Sequence, residues 1–442
     1  MNVANSIRKT LKVAYVSLSP KADGGELGEL QLPSYGVHRI VAATMALQQE
    51  MSIDVRYLDY ARLGKVGLQQ KLDDFVPDVV GFSIYVWSTA KLVDAARRLK
   101  SAHPETFIIF GGPSARTSVF DLAPYREAHT YLDAVAEGDG EALVQQLLRS
   151  GDLTREGLVR IGGLALPNTD GTWLKTGAAP YMAMDKIDSP YQQGLMPHGA
   201  VAYLETFRGC PLACRFCEWG VARPARDVFS TDYIKREIDA FERLDAPAVF
   251  LLDAGLNLNA AAFRNLSAAN AQTSHLKNAL FWAEIYPSTV RPKHLEFLED
   301  IGTAYLGVGL QSQDQAVLDA HDRKIDQTRF EPAVRDLARV AGGIEIQVIF
   351  GLPGETPEGF LRTLDFALSM PGKVRAYHCL VLPDALLTRS RPEWDVKFDP
   401  VNLAMTSNAN WSADDIRRMR CHLEKLARQH SGSAGTFWWS FK

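Results

Sequence analysis

Twice along the chain, short runs of continuous apolar residues alternate with stretches of helical length, and this repetition limits the possible folds more than any other feature. From Leu11 to about Arg149, the runs LKVAYVSL, DVRYLDY, PDVVGFSIY, TFIIFGG and YLDAVAEG read as strands, with helix-like segments such as STAKLVDAARRLKSA between them. A strand with one wet face alternates apolar and polar residues. DVVGFSI does not, which suits a parallel strand covered by helices on both faces. An α/β, doubly wound, Rossmann-like or flavodoxin-like domain is therefore expected over residues 1–150. Residues 151–199 are rich in Gly, Pro and Asp and contain the turn-like PNTDGTW, which predicts a connector with a small hairpin. A second series opens at VAYLETFRG and continues through AVFLLDA, LFWAEIYP, TAYLGVGLQS, IEIQVIFGLPGE and VRAYHCLVLP. Six such strands fit a partial (β/α)6 barrel over residues 200–390, with chemistry expected at the C-terminal strand ends. The remaining 391–442 carries a helix near SADDIRRMRCHLEKLARQH and the aromatic tail FWWSF, which together read as a packing or capping extension.

The chain has 442 residues, 46% of them hydrophobic and 23% charged, which is ordinary globular composition with enough length for two domains. A net charge of -4 offers no basic footprint for nucleic acid, so a small-molecule substrate is the better expectation. No apolar stretch approaches the about 18 residues needed to span a bilayer. The basic start MNVANSIRKTLKVAYVSL is followed by KADGGELGEL rather than by a small-residue cleavage site. A cytoplasmic protein without a membrane partner is expected.

Five cysteines form an odd set, and Cys210, Cys214 and Cys217 lie within eight residues, which suits metal binding in a reducing compartment better than disulfides. Their CxxxCxxC spacing follows directly on the strand VAYLETF. Three thiolates can hold three irons of a 4Fe-4S cubane and leave the fourth open to a small molecule. Zinc is the competing occupant, but a closed zinc site needs a fourth ligand and commonly pairs two close doublets, and no His or Cys follows nearby. Cys379 and Cys421 stand alone and are expected to be buried, inert thiols. The GLPGE segment, Gly351 to Glu355, lacks the GxxxxGK pattern of a phosphate cradle, and Pro353 has no backbone donor. It reads as a tight turn from strand to helix.

CxxxCxxC with an aromatic at Phe216, on the loop after the first barrel strand, resembles the signature of the radical S-adenosylmethionine (SAM) superfamily, and YLETFRGCPLACRFC is similar to its cobalamin-binding branch. The resemblance continues through VFLLDAGLN, FWAEIYPS, GVGLQSQDQAVLDAHDRK and VIFGLPGETPEGFLRTLDFAL. It implies that the open iron chelates the methionine part of SAM, and that an electron from the cluster breaks a carbon–sulfur bond to give a 5'-deoxyadenosyl radical. It implies SAM contacts at Phe216, Glu284, Gln311, Ser312 and Arg323, with Val348 to Gly351, and Ile349 among them, beside adenine. Independently of the resemblance, Glu284 and Gln311 fit as hydrogen-bonding groups at strand ends, and Arg323 can fork onto a carboxylate. Ordinary polar residues of a barrel rim are the alternative.

The first half resembles the cobalamin-binding domain of the same branch through PDVVGFSIYVWS, FIIFGGPSA and DAVAEGDGEALVQQLL, where Asp139 replaces a glutamate usual at that place. This implies a corrinoid across the C-terminal edge of the sheet, touched by Ser83, Tyr85, Trp87, Gly111, Gly112, Pro113, Glu137 and Gly138. Glycines at 111 and 112 would admit a close backbone approach. No DxHxxG motif is present, so the resemblance implies base-off cobalamin with Ser83, Tyr85 and above all Trp87 near its lower face. Core packing of Trp87, or a domain that keeps the fold without cobalamin, are the alternatives.

Together these resemblances, over about residues 11–390, imply a methyltransferase acting on an unactivated carbon of a small molecule of natural-product type. One SAM would methylate cob(I)alamin and a second would supply the radical, with substrate between the two cofactors and flavodoxin or ferredoxin as reducing partner. Cobalamin-dependent rearrangement or ring contraction without methyl transfer, a non-catalytic cobalamin or SAM sensor, and modification of a peptide remain open. Some relatives also methylate without radical cleavage of SAM. In VLPDALLTRSRPEW, Asp384-Ala385 departs from the Pro-Gly-Thr turn frequent in relatives, and no residue there names a substrate.

Overall fold

The computed structural model describes residues 10–20, 30–219 and 227–442. The basic start of the chain and most of KADGGELGEL lie outside the described residues. Two compact units are present: one takes in Pro33–Met196 with the segment up to Pro20, the other Pro197–Lys442 with the segment ending at Leu32.

The first unit is built on β1 (Leu11–Ser17), β2 (Ile53–Asp59), β3 (Val79–Ser83), β4 (Phe107–Gly111) and β5 (Ala134–Ala136). These five strands are parallel in the order β2-β1-β3-β4-β5, the flavodoxin arrangement. Val13, Tyr15, Val41, Leu47, Ile109, Leu143 and Leu147 form the core between the sheet and its helices. The carboxylate of Asp59, at the end of β2, accepts from the Ala61 N–H at 3.0 Å and caps the helix Tyr60–Phe75. The connector carries the expected hairpin, β6 (Leu164–Pro167) and β7 (Trp173–Lys175), and this hairpin joins the first sheet antiparallel beside β5.

In the second unit β8 (Ala202–Leu204), β9 (Ala248–Leu251), β10 (Leu280–Ile285), β11 (Thr303–Gln311), β12 (Gly343–Phe350) and β13 (Lys373–His378) are parallel neighbours in chain order, the six expected barrel strands. The short ladder β14 (Lys397–Phe398) and β15 (Met405–Ser407) follows, then the helix Ala413–Gln429. The aromatic tail differs from the packing element expected of it. With β16 (Ser433–Ala434), β17 (Trp438–Phe441) forms an antiparallel ribbon whose longer strand hydrogen-bonds along β13. Bulky aromatics alternating across a strand satisfy sheet packing as well as they satisfy a cap. Among the described residues no helix is long and apolar enough to cross a membrane.

Candidate functional site

The cysteine loop begins where β8 ends, and its entry is held by a buried acid one strand away. Asp253, just past β9, accepts from the N–H of Thr206 at 2.8 Å and of Phe207 at 3.3 Å, and from the Thr206 hydroxyl. Burial pushes its carboxyl up to about 7, against the pull of those hydrogen bonds. Gly209 follows with φ +88, a left-handed turn that an L side chain resists. Cys214 is buried, whereas Cys210 and Cys217 are half-buried, and the Cys210 Sγ accepts from the Leu212 N–H at 3.4 Å. Burial raises both half-buried thiols, Cys217 to about 11, so a metal taken up here displaces protons. Among the described residues no group of three or more His, Cys, Asp or Glu side chains is placed so as to hold one metal ion. A cubane instead places each thiolate on its own iron.

The far side of the loop is tied to the turn that closes the short helix Gln315–Ala320 after β11. The Arg215 N–H donates to the His321 carbonyl at 2.9 Å and its Nε lies 2.8 Å from Asp322 Oδ2. Phe216 packs against an apolar cluster of Val317, Leu352, Val381, Leu386 and Trp394, which Ile349 also joins. The His321 ring, stacked on Trp394 and beside Phe216, stays neutral because burial lowers it to about 4, and its Nε2 donates to the Pro353 carbonyl at 2.8 Å.

Within the sheet, register brings Glu284, Gly307 and Glu345 into one row across β10, β11 and β12. Gln347 Nε2 donates to Glu284 Oε1 at 2.8 Å, and Arg375 Nε to Glu345 Oε2 at 2.8 Å. Burial raises both carboxyls, Glu345 to about 7, with the Arg375 charge opposing it. The glycines of GVG are what make room for this row. A Cβ on Gly307 would stand 2.6 Å from the Glu284 Cδ, and one on Gly309 would stand 2.5 Å from Gln311 Nε2 and 3.0 Å from Arg323 Nη2. The ladder slips between Gly309 and Gln311, and Gln311 takes φ +69, an uncommon conformation for a side chain of its size. Arg323 Nη2 donates to the Gly309 carbonyl at 2.8 Å, and its guanidinium lies 4.8 Å over the Tyr286 ring. Gln311 Oε1 and Arg323 Nε are buried without a hydrogen-bond partner. Leaving one such atom unmet costs about 1–3 kcal/mol, and a ligand offering both a donor and an acceptor relieves both. Ser312 is a different case: it is fully buried, and its hydroxyl donates to the Glu355 carboxylate, which ties it to the GLPGE turn. That turn takes Gly351 and Gly354 through positive φ into a helix from Pro357, capped by the Thr356 hydroxyl.

In the first unit the candidate residues gather at the C-terminal edge of the parallel sheet. Ser83 is in register with Gly111, and Gly112 turns with φ +102 where a Cβ would lie 2.7 Å from the Ile84 carbonyl oxygen. Pro113 follows in the same turn. Gly138 likewise has φ +107, and Glu137 beside it is paired with Lys175 at 3.0 Å. Trp87 is no core residue. It is 51% exposed and stacks on Tyr85 at 4.5 Å and 20°, a flat apolar platform.

Residues 204–367 match the model of the radical SAM superfamily, and residues 32–148 match that of the B12 binding domain. The chain carries a radical SAM domain and a B12-binding domain. Its cofactors are accordingly a 4Fe-4S cluster, SAM and cobalamin. Among its relatives, the 2-(S-pantetheinyl)-carbapenam-3-carboxylate methyltransferase of Streptantibioticus cattleyicolor is 27% identical, covering 75% of this chain and 54% of the relative. The cobalamin-dependent radical SAM methyltransferase TokK of Streptomyces tokunonensis is 28% identical over 72% of this chain and 49% of its own. The chain thus spans about half the length of these relatives. Its fold is similar to that of the radical SAM methyltransferase TsrM from Kitasatospora setae, solved with cobalamin and a 4Fe-4S cluster, with a TM-score of 0.66 at 16% identity over 89% of this chain and 84% of that one.

The residues present fit these groups: three cysteines on one loop, an orphaned donor and acceptor beside the strand ends, and a bare aromatic platform at the sheet edge. Sequence reasoning missed Asp253, Gln347 and Glu345. The signal for the last two is the alternation in IEIQVIF, where polar side chains recur every second residue in a run otherwise wholly apolar. Cys379 is buried as expected, with its thiol pushed up to about 12 by burial. Cys421 is exposed instead, because it falls on the outward face of the helix Ala413–Gln429, whose buried residues are Ile416, Met419, Leu423 and Ala427.

Proposed function

We propose that this protein is a cobalamin-dependent methyltransferase that places a methyl group on an unactivated carbon of a small molecule, with Cys210, Cys214 and Cys217 as cluster ligands and a separate low-potential electron donor. The observation that carries it is the pair of domains on one chain, with an intact cysteine triplet on the loop after β8. When bound, cluster and SAM supply one-electron bond cleavage and cobalamin supplies a methyl carrier; the protein supplies position and exclusion of water. Gln311 and Arg323 present the unmet donor and acceptor that the methionine carboxylate and amine of SAM would satisfy. Glu284, held by Gln347, is poised for a ribose hydroxyl. Phe216 and Ile349 give SAM an apolar flank from one cluster. Trp87 on Tyr85 offers cobalamin a face without a metal ligand.

The test is anaerobic reconstitution with iron, sulfide and cobalamin, followed by product analysis of wild type and Cys210→Ala. Methylated product with S-adenosylhomocysteine is expected from wild type, and neither from the variant. An unmethylated rearranged product formed with 5'-deoxyadenosine would reject methyl transfer. Wild-type protein that takes up no iron would reject the cysteine assignment itself.

A further inference from the structure

Arg389 lies 172 residues after Cys217, in the segment between β13 and β14, yet its guanidinium closes on the cysteine loop. Its Nη2 donates to the carbonyls of Cys214 at 2.9 Å and Cys217 at 2.7 Å, its Nη1 to that of Ala213 at 3.2 Å, and its Nε to that of Asp384 at 2.8 Å. The contact is returned by Arg215, whose Nη1 donates to the Arg389 carbonyl at 3.2 Å. A guanidinium has five N–H donors in one plane, and four of them here meet backbone carbonyls. Two features follow. One rigid fork spans the backbone of two of the three cysteines, fixing how far apart their thiols stand. The positive charge also sits against the loop, where the Cys217 and Cys214 thiols and the Asp384 carboxylate attract it and Arg215 opposes them.

We propose that Arg389 is a positioning residue of the cluster loop, which holds the Cys214–Cys217 span at cluster-binding width and keeps a fixed positive charge beside the thiolates. It rests on the cysteine assignment proposed above. The charge has a definite sign of effect. One-electron reduction of a cluster, by a donor such as dithionite or a low-potential electron-transfer protein, adds one negative charge to it. A nearby cation favours that reduced form and raises the potential, as hydrogen bonding and net charge do generally in such sites. Arg391 is the natural control. It lies two residues on, donates to the Ala320 carbonyl at 3.2 Å and covers Trp394.

Full-length wild type, Arg389→Met, Arg389→Lys and Arg391→Met are reconstituted anaerobically, and two quantities are read on each: the rate of iron loss to a ferrous chelator, and the cluster midpoint potential by EPR-monitored titration. Arg389→Met is expected to lose iron roughly tenfold faster and to show a more negative potential. Arg389→Lys keeps the charge but not the fork, so it should hold a potential near that of wild type while still losing iron faster. Arg391→Met should match wild type in both. Iron loss and potential unchanged in Arg389→Met, or moved as far by Arg391→Met, overturn the proposal. Faster iron loss at unchanged potential overturns the charge and supports the clamp. Wild type that holds no iron sinks the cysteine assignment and the clamp together, whereas iron-loaded wild type matched by Arg389→Met sinks the clamp alone.

Discussion

Gly307 is the point at which strand geometry and the candidate SAM site meet, and replacing it with alanine separates their contributions. The residue lies inside β11, where its φ is not positive, so the backbone admits alanine. Loss of unfolded-state freedom alone would then stabilise the protein by about 0.4–1 kcal/mol. Against this, the new Cβ would stand 2.6 Å from both Cδ and Oε2 of Glu284, closer than real Cβ atoms come to any heavy atom. The carboxylate must swing aside and give up its 2.8 Å bond from Gln347, a loss of about 1.5–3 kcal/mol for a hydrogen bond to a charged group. The net expectation is destabilisation of about 1–2 kcal/mol, read as a lower urea midpoint at unchanged slope, together with weaker SAM binding by equilibrium dialysis of reconstituted protein. A double-mutant cycle gives the decisive figure. In a Glu284→Ala background the obstacle is gone, so Gly307→Ala should cost nothing or stabilise, leaving a coupling of at least about 1 kcal/mol. Additive effects of the two substitutions would refute the reasoning.

Asp253→Asn keeps the acceptor for the Thr206 and Phe207 N–H groups and removes the charge. The native carboxyl is raised from 3.8 to about 7, so its contribution is fully present below 3.8 and is given up as the pH rises towards 7. The variant's stability should therefore be flatter across that window in thermal unfolding at a series of pH values. His321 works in the opposite sense: burial lowers it from 6.5 to about 4, so its contribution is present above 6.5 and fades as the pH falls towards 4, and His321→Gln should soften that acid loss. Trp87→Ala, at an exposed position, should change stability by no more than about 0.5 kcal/mol while corrinoid retained through gel filtration falls. Full retention would remove Trp87 from the cobalamin site.

Much of this architecture is legible in the residues because its determinants are local. Each of the six barrel strands is a short, mostly apolar run bounded by turn residues, and the cysteine spacing lies within one loop. The flavodoxin order of β1 to β5 is not local, since a run such as LKVAYVSL carries no mark of which neighbours it takes. The same limit hid β17, whose FWWSF pattern serves a cap or a strand equally until β13 offers it an edge. The Arg389 contact is the extreme case: an arginine in TRSRPEW has no pattern of its own, and its partners are carbonyls that any residue type supplies. Glu284 and Gln311 could be picked out as polar residues at strand ends. The space they occupy is written in Gly307 and Gly309, whose meaning appears only when two strands lie side by side.

The ribbon formed by β16 and β17 has a practical consequence. Because Trp438–Phe441 occupies the free side of β13, from Val374 to Tyr377, removing it would uncover a row of unsatisfied amides beside apolar side chains. Such an edge recruits strands from other chains. Deleting the final few residues should turn a well-behaved preparation into one that precipitates, even though none of them is proposed to touch a cofactor.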